Sequence, residues 1–251
     1  MLTPARRRGH EYLDDPSLDG ALVVRSLRDV SRANALFGGR RAVLGAVAEA
    51  LPELGAHGTL LDVGTGLGDI PFHARRMAAR RGVMLTTLGV ELSPALAAAS
   101  RERIGQSLVG DGFRLPFADA SVDIVTCSQV AHHFAEAEAA CLLRELDRVA
   151  RRRVVVADLR RSWLAAGLFW CASWPLGFHP VSRHDGTLSV LRGFTAAELR
   201  TLAHDAAGAR AHVRHGLGWR LTASWRPVRA ASASPAAVAA PSPVRPTPSL
   251  A

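Results

Sequence analysis

The sequence has 251 residues, a formal net charge of +9 and an apolar fraction of 48%. This length can bury one sizeable core, and the composition is that of a globular protein. The 31 basic residues are all arginine, a usage typical of GC-rich bacterial genomes. They occur in scattered pairs and triplets rather than in one stripe, so we expect no nucleic-acid partner.

The three cysteines, Cys127, Cys141 and Cys171, are far apart and lack the paired spacing of metal ligands. We therefore expect no metal, and the sparse, odd count fits a reducing cytoplasm. No apolar run is long enough for a signal peptide or a transmembrane segment. Together these features predict a cytoplasmic protein.

The N-terminal part of the chain divides into two regions. Residues 1–19 are polar, and we expect a flexible N-terminus. Residues 20–56 predict a helical cap, with two helices separated at Gly38-Gly39 and apolar residues at helical spacing in the second.

Residues 60–69 form the most distinctive stretch, an apolar strand that leads into a glycine-rich turn and then a helix. Gly64, Gly66 and Gly68 let the backbone turn tightly and approach a ligand, which then faces the unpaired N–H groups of the helix. Asp62, at the end of the strand, suits a cationic or hydroxyl-bearing ligand better than a pyrophosphate. This pattern predicts a nucleoside-cofactor site, although many turns of this kind need glycines for geometry alone.

The glycine spacing differs from the dinucleotide fingerprint, which has glycines at its first, third and sixth positions. Counted from Gly64, the sixth position holds Asp69, and the third glycine comes one place early, at Gly68. An oxidoreductase that uses NAD(P) remains an alternative only if this displacement is irrelevant.

Three further motifs follow in the chain. Residues 84–90 predict a second strand, and Glu91 directly after it is placed to accept the two hydroxyls of a ribose. Residues 110–117 form a loop that contains Asp111 and Phe113. Residues 122–127 predict another strand, which is followed by Ser128 and a loop with His132 and His133.

In order and spacing, the motifs of residues 60–134 resemble those of class I S-adenosylmethionine-dependent methyltransferases. The likeness is to the small-molecule branch (methyltransferase type 11) found in quinone, polyketide and lipid pathways, and it continues more weakly through residues 154–158. It implies S-adenosyl-L-methionine as the cofactor, with Asp111 accepting a hydrogen bond from the adenine amino group. Phe113 is expected either to cover the adenine ring or to shield the loop. The cofactor-binding residues predicted in this way are Asp62, Gly64, Thr65, Gly66, Gly68, Glu91, Leu92, Asp111, Gly112, Phe113 and Ser128.

The alternation of strands and helices over residues 57–228 predicts an α/β domain with a parallel sheet. Residues 195–198 begin a helix with a capping box, and residues 209–215 and 218–225 predict a hairpin. The resemblance implies a Rossmann-like, seven-stranded, mostly parallel sheet with helices on both faces and this antiparallel hairpin at its edge. Residues 229–251 are rich in alanine, proline and serine and predict a disordered tail.

Residues 160–193 predict an apolar lid insertion. Trp163, Trp170 and Trp174 share one face of a helix. We consider three interpretations of this segment: a helix packed on its own domain, a wall for a hydrophobic or aromatic acceptor, and a peripheral contact with a membrane interface.

Catalysis in this family requires chiefly that acceptor, methyl group and sulfur be aligned. A base is needed only if the acceptor loses a proton, and histidine has a suitable pKa. His184, which precedes an aspartate, is the preferred candidate, and His132 and His133 are the others; His133 is expected chiefly to line the pocket.

The loop at residues 128–131 lacks the motif of nucleobase amino-methylating enzymes, so we expect a small acceptor such as a phenol, a quinone or a polyketide. A cofactor-binding but non-catalytic partner of a pathway enzyme remains a further alternative. The oligomeric state is left open.

Overall fold

The structure is a computed structural model that describes residues 3–15, 17–208 and 211–227. The tail predicted at residues 229–251 lies outside these described residues. In chain order the helices and strands are α1 (Gly20–Leu36), α2 (Gly39–Ala50), β1 (His57–Val63), α3 (Asp69–Ala79), β2 (Met84–Glu91), α4 (Pro94–Ile104), β3 (Ser107–Val109), β4 (Val122–Ser128), α5 (Glu136–Val149), β5 (Ala150–Leu159), α6 (Trp163–Ser173), α7 (Pro180–Arg192), α8 (Ala196–Ala207), β6 (His212–Gly216) and β7 (Arg220–Trp225).

The strands form one seven-stranded sheet with the order β3-β2-β1-β4-β5-β7-β6. The strands β1 to β5 pair in parallel, and β7 pairs antiparallel with both β5 and β6. The predicted Rossmann-like fold is therefore confirmed. Because the strand order reverses beside β1, a crevice opens at the carboxyl ends of β1 and β4, where ligands bind in sheets of this type.

Neighbouring residues of the central strands face opposite layers of the core, as expected for extended chain. Leu61 and Val125 pack toward α5 and α8, whereas Leu60 and Ile124 pack toward α2 and α3. Helices thus cover both faces of the sheet, which explains why β1 and β4 are apolar runs rather than alternating sequences.

The predicted hairpin is present with different bounds, and residues 209 and 210 of its first predicted strand lie outside the described residues. Its strands are β6 and β7, and residues 217–219 connect them, with Trp219 at a positive φ of 55°. The edge strand β3 has only three residues, too few to carry a periodic pattern.

The N-terminal residues 3–15 pack against the rest of the domain, which differs from the loose segment that their polar composition predicts. Pro4 and Glu11 are buried. The backbone N–H groups of Tyr12 and Leu13 donate to the carboxylate of Asp185 at 3.0 and 2.9 Å. The segment is held because its polar groups find buried partners on α7.

We expect that Leu143→Ala will lower the free energy of unfolding by about 2–5 kcal/mol, since Leu143 is fully buried between α5 and the sheet. Met84→Ala is the matched control, because Met84 is 67% exposed and its truncation leaves no cavity. Urea denaturation of both variants measures the difference. Equal destabilisation by the two substitutions would contradict the packing described above.

Candidate functional site

One large cavity lies at the carboxyl ends of β1, β2 and β4. Its volume is about 1440 Å³, and its walls include the glycine turn, α1, α6, α7 and the N-terminal segment. Cavities for a single small ligand are commonly about 300–1,000 Å³. This one therefore has room for a cofactor and an acceptor together.

The glycine turn between β1 and α3 depends on backbone angles that favour glycine. Gly64, Gly66 and Gly68 have φ values of 69°, 55° and 72°. A Cβ atom on Gly64 would also clash with Cγ2 of Val130. Gly68 immediately precedes α3, so the turn directs the N-terminus of that helix toward the cavity.

The carboxylate of Glu91 is fixed to this turn from the end of β2. Its Oε2 accepts a hydrogen bond from Gly66 N at 2.8 Å, and its Oε1 accepts one from Leu92 N at 3.0 Å. Burial raises the pKa of Glu91, and these backbone hydrogen bonds oppose the rise. The sequence motif and the strand end thus bring an acidic group and the glycine turn into direct contact.

Asp62 is buried at the end of β1 and accepts a hydrogen bond from Thr126 Oγ1 at 2.6 Å. Burial raises the pKa of Asp62 to about 7; the hydrogen bond from Thr126 opposes this rise, and the charges of Glu91 and Asp69 add to it. Asp62 therefore titrates near neutral pH, and a cation in the cavity would favour its charged form.

The loop after β3 forms the outer rim of the cavity. Asp111 is exposed, and its Oδ1 accepts a hydrogen bond from Phe113 N at 2.9 Å. Phe113 meets the ring of Phe134 edge to face, with centroids 4.8 Å apart. Of the eleven predicted cofactor-binding residues, ten line the cavity; Gly68 does not, and its role is to begin α3.

His132 lies on the short turn after β4 and is held by Asp158 from the end of β5. Its Nδ1 is 2.7 Å from Asp158 Oδ1, and its backbone N–H donates to Oδ2 at 3.1 Å. Burial alone would raise the pKa of Asp158, but the charge of His132 and hydrogen bonds from His132 and Leu159 lower it overall. Nε2 of His132 is buried and has no hydrogen-bond partner among the residues that the structure describes.

His133 faces two acids of the N-terminal segment. Its Nδ1 is 2.8 Å from Asp14 Oδ1, and its Nε2 is 3.9 Å from Glu11 Oε2. Nε2 of His132 is likewise 3.9 Å from Glu11 Oε1. Burial raises the pKa of Glu11, while the charges of His133 and Arg192 and a hydrogen bond from Ser189 oppose the rise.

Within the described ranges, Glu11, His132 and His133 place possible metal-ligating atoms within 4.8 Å of one another. The two imidazole rings are inclined by only 33° with centroids 4.3 Å apart, so they stack rather than converge on one point. The guanidinium of Arg192 is already 3.3 Å from Glu11. This arrangement suits hydrogen bonding and proton exchange better than a metal ion.

The structure places His184 away from these groups. Its side chain is 48% exposed on α7, Nδ1 is 2.8 Å from Asp185 Oδ1, and the ring packs on Tyr12. Asp185 lines the cavity, but His184 does not. We therefore give His184 no part in the function proposed below.

The sequence motifs include neither Glu11 nor Arg192, and they reach Asp158 only through the weaker resemblance of residues 154–158. Arg192 donates to the carbonyl oxygen of His133 at 2.7 Å and to Asp14 at 2.8 Å. These residues meet only through the tertiary fold. Asp158 alone among them lies in a stretch, residues 154–158, to which the family resemblance extends.

The parallel sheet defines a Rossmann-like domain, and the glycine turn and the acids at the ends of β1 and β2 form a candidate site for a nucleoside cofactor. Residues 61–157 match the family described as "Methyltransferase domain". This part of the chain is therefore similar to methyltransferase domains.

An uncharacterized methyltransferase of Mycolicibacterium vanbaalenii is 35% identical over 176 residues, which are 64% of this chain and 60% of that protein. A demethylmenaquinone methyltransferase of Thermotoga maritima is 31% identical over 124 residues, 48% of this chain and 49% of that protein. This chain thus spans only about half to three fifths of these relatives. Human N-acetylserotonin methyltransferase in complex with SAM has a similar fold, with a TM-score of 0.58, 16% identity and coverage of 83% of this chain and 56% of that one.

The raised pKa of Asp62 predicts a pH-dependent stability. Below about pH 4, the pKa of an aspartate in the unfolded chain, the free energy of unfolding of the wild type relative to Asp62→Asn is at its highest. It falls as the pH rises to about 7, the pKa of Asp62 in the folded protein. We expect the free-energy difference between the two proteins to change by up to about 4 kcal/mol over that interval and then to level off. Urea denaturation at a series of pH values measures it. A difference that does not vary with pH would contradict the titration of Asp62.

Proposed function

We propose that the protein transfers the methyl group of S-adenosyl-L-methionine to a small hydrophobic or aromatic acceptor. The observation that carries the proposal is the hydrogen bond between Glu91 and the glycine turn, at the edge of a cavity large enough for two ligands. The family match and the cofactor named for the human structural neighbour support the same cofactor.

In the cofactor half, Glu91 accepts the ribose hydroxyls while its hydrogen bonds to the turn fix its position. Asp111 accepts a hydrogen bond from the adenine amino group, and Phe113 covers the ring from the side. Asp62 provides negative charge close to a cationic cofactor, whose binding favours the ionised carboxylate.

The start of α3 argues against a dinucleotide. Asp69, the first residue of the helix, lines the cavity where a pyrophosphate would be expected to meet the helix N-terminus. Its carboxylate is 3.3 Å from Arg103 and 3.5 Å from Arg40. Asp69 thus holds a carboxylate at the position where the dinucleotide fingerprint has its third glycine.

The acceptor half is bounded by α1, α6 and α7 and is largely apolar. The apolar residues that these elements and their neighbours contribute include Phe37, Leu168, Phe169, Phe178, Val190 and Trp219. Such a wall favours a phenolic, quinone or polyketide-like acceptor. The name of the Thermotoga relative, demethylmenaquinone methyltransferase, agrees with this class.

The bound cofactor supplies an electrophilic methyl group, so the protein must align the acceptor and receive its proton. When Nδ1 of His132 donates to Asp158, Nε2 is left as a proton acceptor. Transfer of the methyl group would break its bond to sulfur and leave S-adenosylhomocysteine. The proton of an acceptor hydroxyl would then pass to Nε2 of His132, and Asp158 would stabilise the resulting imidazolium. His133 and Glu11 lie close enough to relay that proton onward.

The proposal is tested first by calorimetric titration with S-adenosylhomocysteine, with NADH as the control. Micromolar binding of the former alone supports the cofactor assignment, and binding of NADH would favour an oxidoreductase. Radiolabelled S-adenosylmethionine and a series of phenols and quinones then test turnover. Cofactor binding without any turnover would favour the non-catalytic alternative.

Glu91→Ala is expected to weaken binding of S-adenosylhomocysteine by about 1.5–3 kcal/mol, or roughly 10- to 150-fold, because it removes charge-assisted hydrogen bonds. Glu102→Ala on α4 is the matched control, since Glu102 is exposed and does not line the cavity. Calorimetry measures both. An unchanged affinity in Glu91→Ala would rule out the ribose assignment.

His132→Gln is expected to lower kcat for a hydroxyl acceptor by about 10²- to 10⁴-fold, because the acceptor proton loses its recipient. Binding of S-adenosylhomocysteine should persist, which shows that the variant folds. His204→Gln, at an exposed histidine of α8, serves as the control. If His132→Gln retained the wild-type kcat and pH profile, His132 would not be the base.

A further inference from the structure

The outward face of α6 is apolar along its whole length. The helix contains no charged residue. Its exposed positions recur at helical spacing and form one stripe. The large apolar residues of this stripe, with their exposed fractions, are Trp163 (51%), Leu164 (47%), Leu168 (50%), Trp170 (42%) and Trp174 (58%).

Arginine side chains border this stripe. The guanidinium of Arg7 lies 5.1 Å from the ring centroid of Trp163. The guanidinium of Arg183 lies 3.5 Å from Trp174 and 5.8 Å from Trp170. Arg8 is also exposed next to Arg7. The apolar face is thus flanked by positive charge, in a chain whose formal net charge is +9.

Tryptophan and arginine together are typical of segments that lie in a membrane interface, where the ring and the guanidinium occupy the headgroup level. In the part of the chain that the structure describes, no helix is long and apolar enough to cross a bilayer. The eleven residues of α6 therefore suit an orientation parallel to the membrane. Docking of a second copy through this face would instead bring two arginine-bordered surfaces together. The repulsion between their like charges disfavours such a dimer.

We propose that α6 is the docking surface for a bilayer with anionic headgroups. Trp163, Trp170 and Trp174 insert at the headgroup level, while Arg7 and Arg183 contact lipid phosphates. The opposite side of α6 lines the cavity through Ala165, Phe169 and Ala172, and Leu168, at the edge of the exposed stripe, borders the cavity as well. One further step rests on the function proposed above. Docking places the acceptor half of the cavity next to the membrane, and a lipid-soluble acceptor enters the cavity from the bilayer.

The test is binding to phosphatidylglycerol vesicles, with phosphatidylcholine vesicles as the comparison. Three of the five tryptophans lie on or directly after α6, so their fluorescence reports on this surface. We expect a blue shift and co-sedimentation with the anionic vesicles, both weakened by salt. The variant Trp163→Ser/Trp170→Ser/Trp174→Ser should lose binding by at least tenfold. Met84→Ser, at an exposed methionine on the opposite end of the sheet, should retain it.

A second variant, Arg7→Glu/Arg8→Glu, keeps the test decisive if the triple variant does not fold. It should weaken binding to anionic vesicles by about tenfold or more, because each arginine near the surface contributes substantially. Equal binding to both vesicle types, no binding, or unchanged binding by both variants would overturn the proposal. So would a dimer that the tryptophan substitutions dissociate, since a second copy would then cover the face.

Titration with S-adenosylhomocysteine separates this proposal from the proposed function. The three tryptophans do not line the cavity, so their substitution should leave cofactor affinity unchanged. A wild type that binds S-adenosylhomocysteine but no vesicle would overturn the docking surface alone. A wild type that binds vesicles but no S-adenosylhomocysteine would overturn the methyltransferase function and leave the docking surface standing.

Discussion

The pairing of Asp158 with His132 is the interaction on which the acceptor side of the site depends. A buried carboxylate is costly unless donors surround it, and Asp158 has three: the ring and backbone of His132 and the backbone of Leu159. The same contacts join the turn after β4 to the end of β5. One buried acid therefore fixes the backbone of the turn and the direction of the imidazole together.

The N-terminal segment completes this turn from the other side. Arg6 donates to the carbonyl oxygens of His132 and Phe134, and Arg192 donates to that of His133. Short turns leave such oxygens without partners in secondary structure, and buried oxygens without partners are unfavourable. Arg192 also balances the charges of the acids that the segment brings to the histidines, since its guanidinium lies 3.3 Å from Glu11 and 2.8 Å from Asp14. A polar sequence packs here because the turn supplies the matching groups.

The contact between Glu91 and the glycine turn was predictable from sequence because its signals are local. The glycine turn and Glu91 each directly follow an apolar strand, and a parallel sheet brings such strand ends together. The acceptor half is different, since Glu11 and Arg192 lie far from the motifs and have no pattern of their own. The adjacency of His184 and Asp185 suggested a base, but neighbouring residues on a helix point in different directions. In the structure only the aspartate of that pair lines the cavity.

The pairing of His132 with Asp158 could have been inferred from strand register. Ser128 lies opposite Ala157 in the parallel pair β4–β5, so the residues that follow them leave the sheet at the same edge.

The tryptophans of α6 show what residue spacing alone cannot predict. Their spacing correctly placed them on one face, but spacing does not tell whether a face meets the domain or the solvent. A helix that is apolar all round is ordinarily buried on all sides. Because α6 borders a cavity on one side and solvent on the other, the apolar character of its two faces agrees with the two proposals made above, a hydrophobic acceptor in the cavity and a lipid surface outside it.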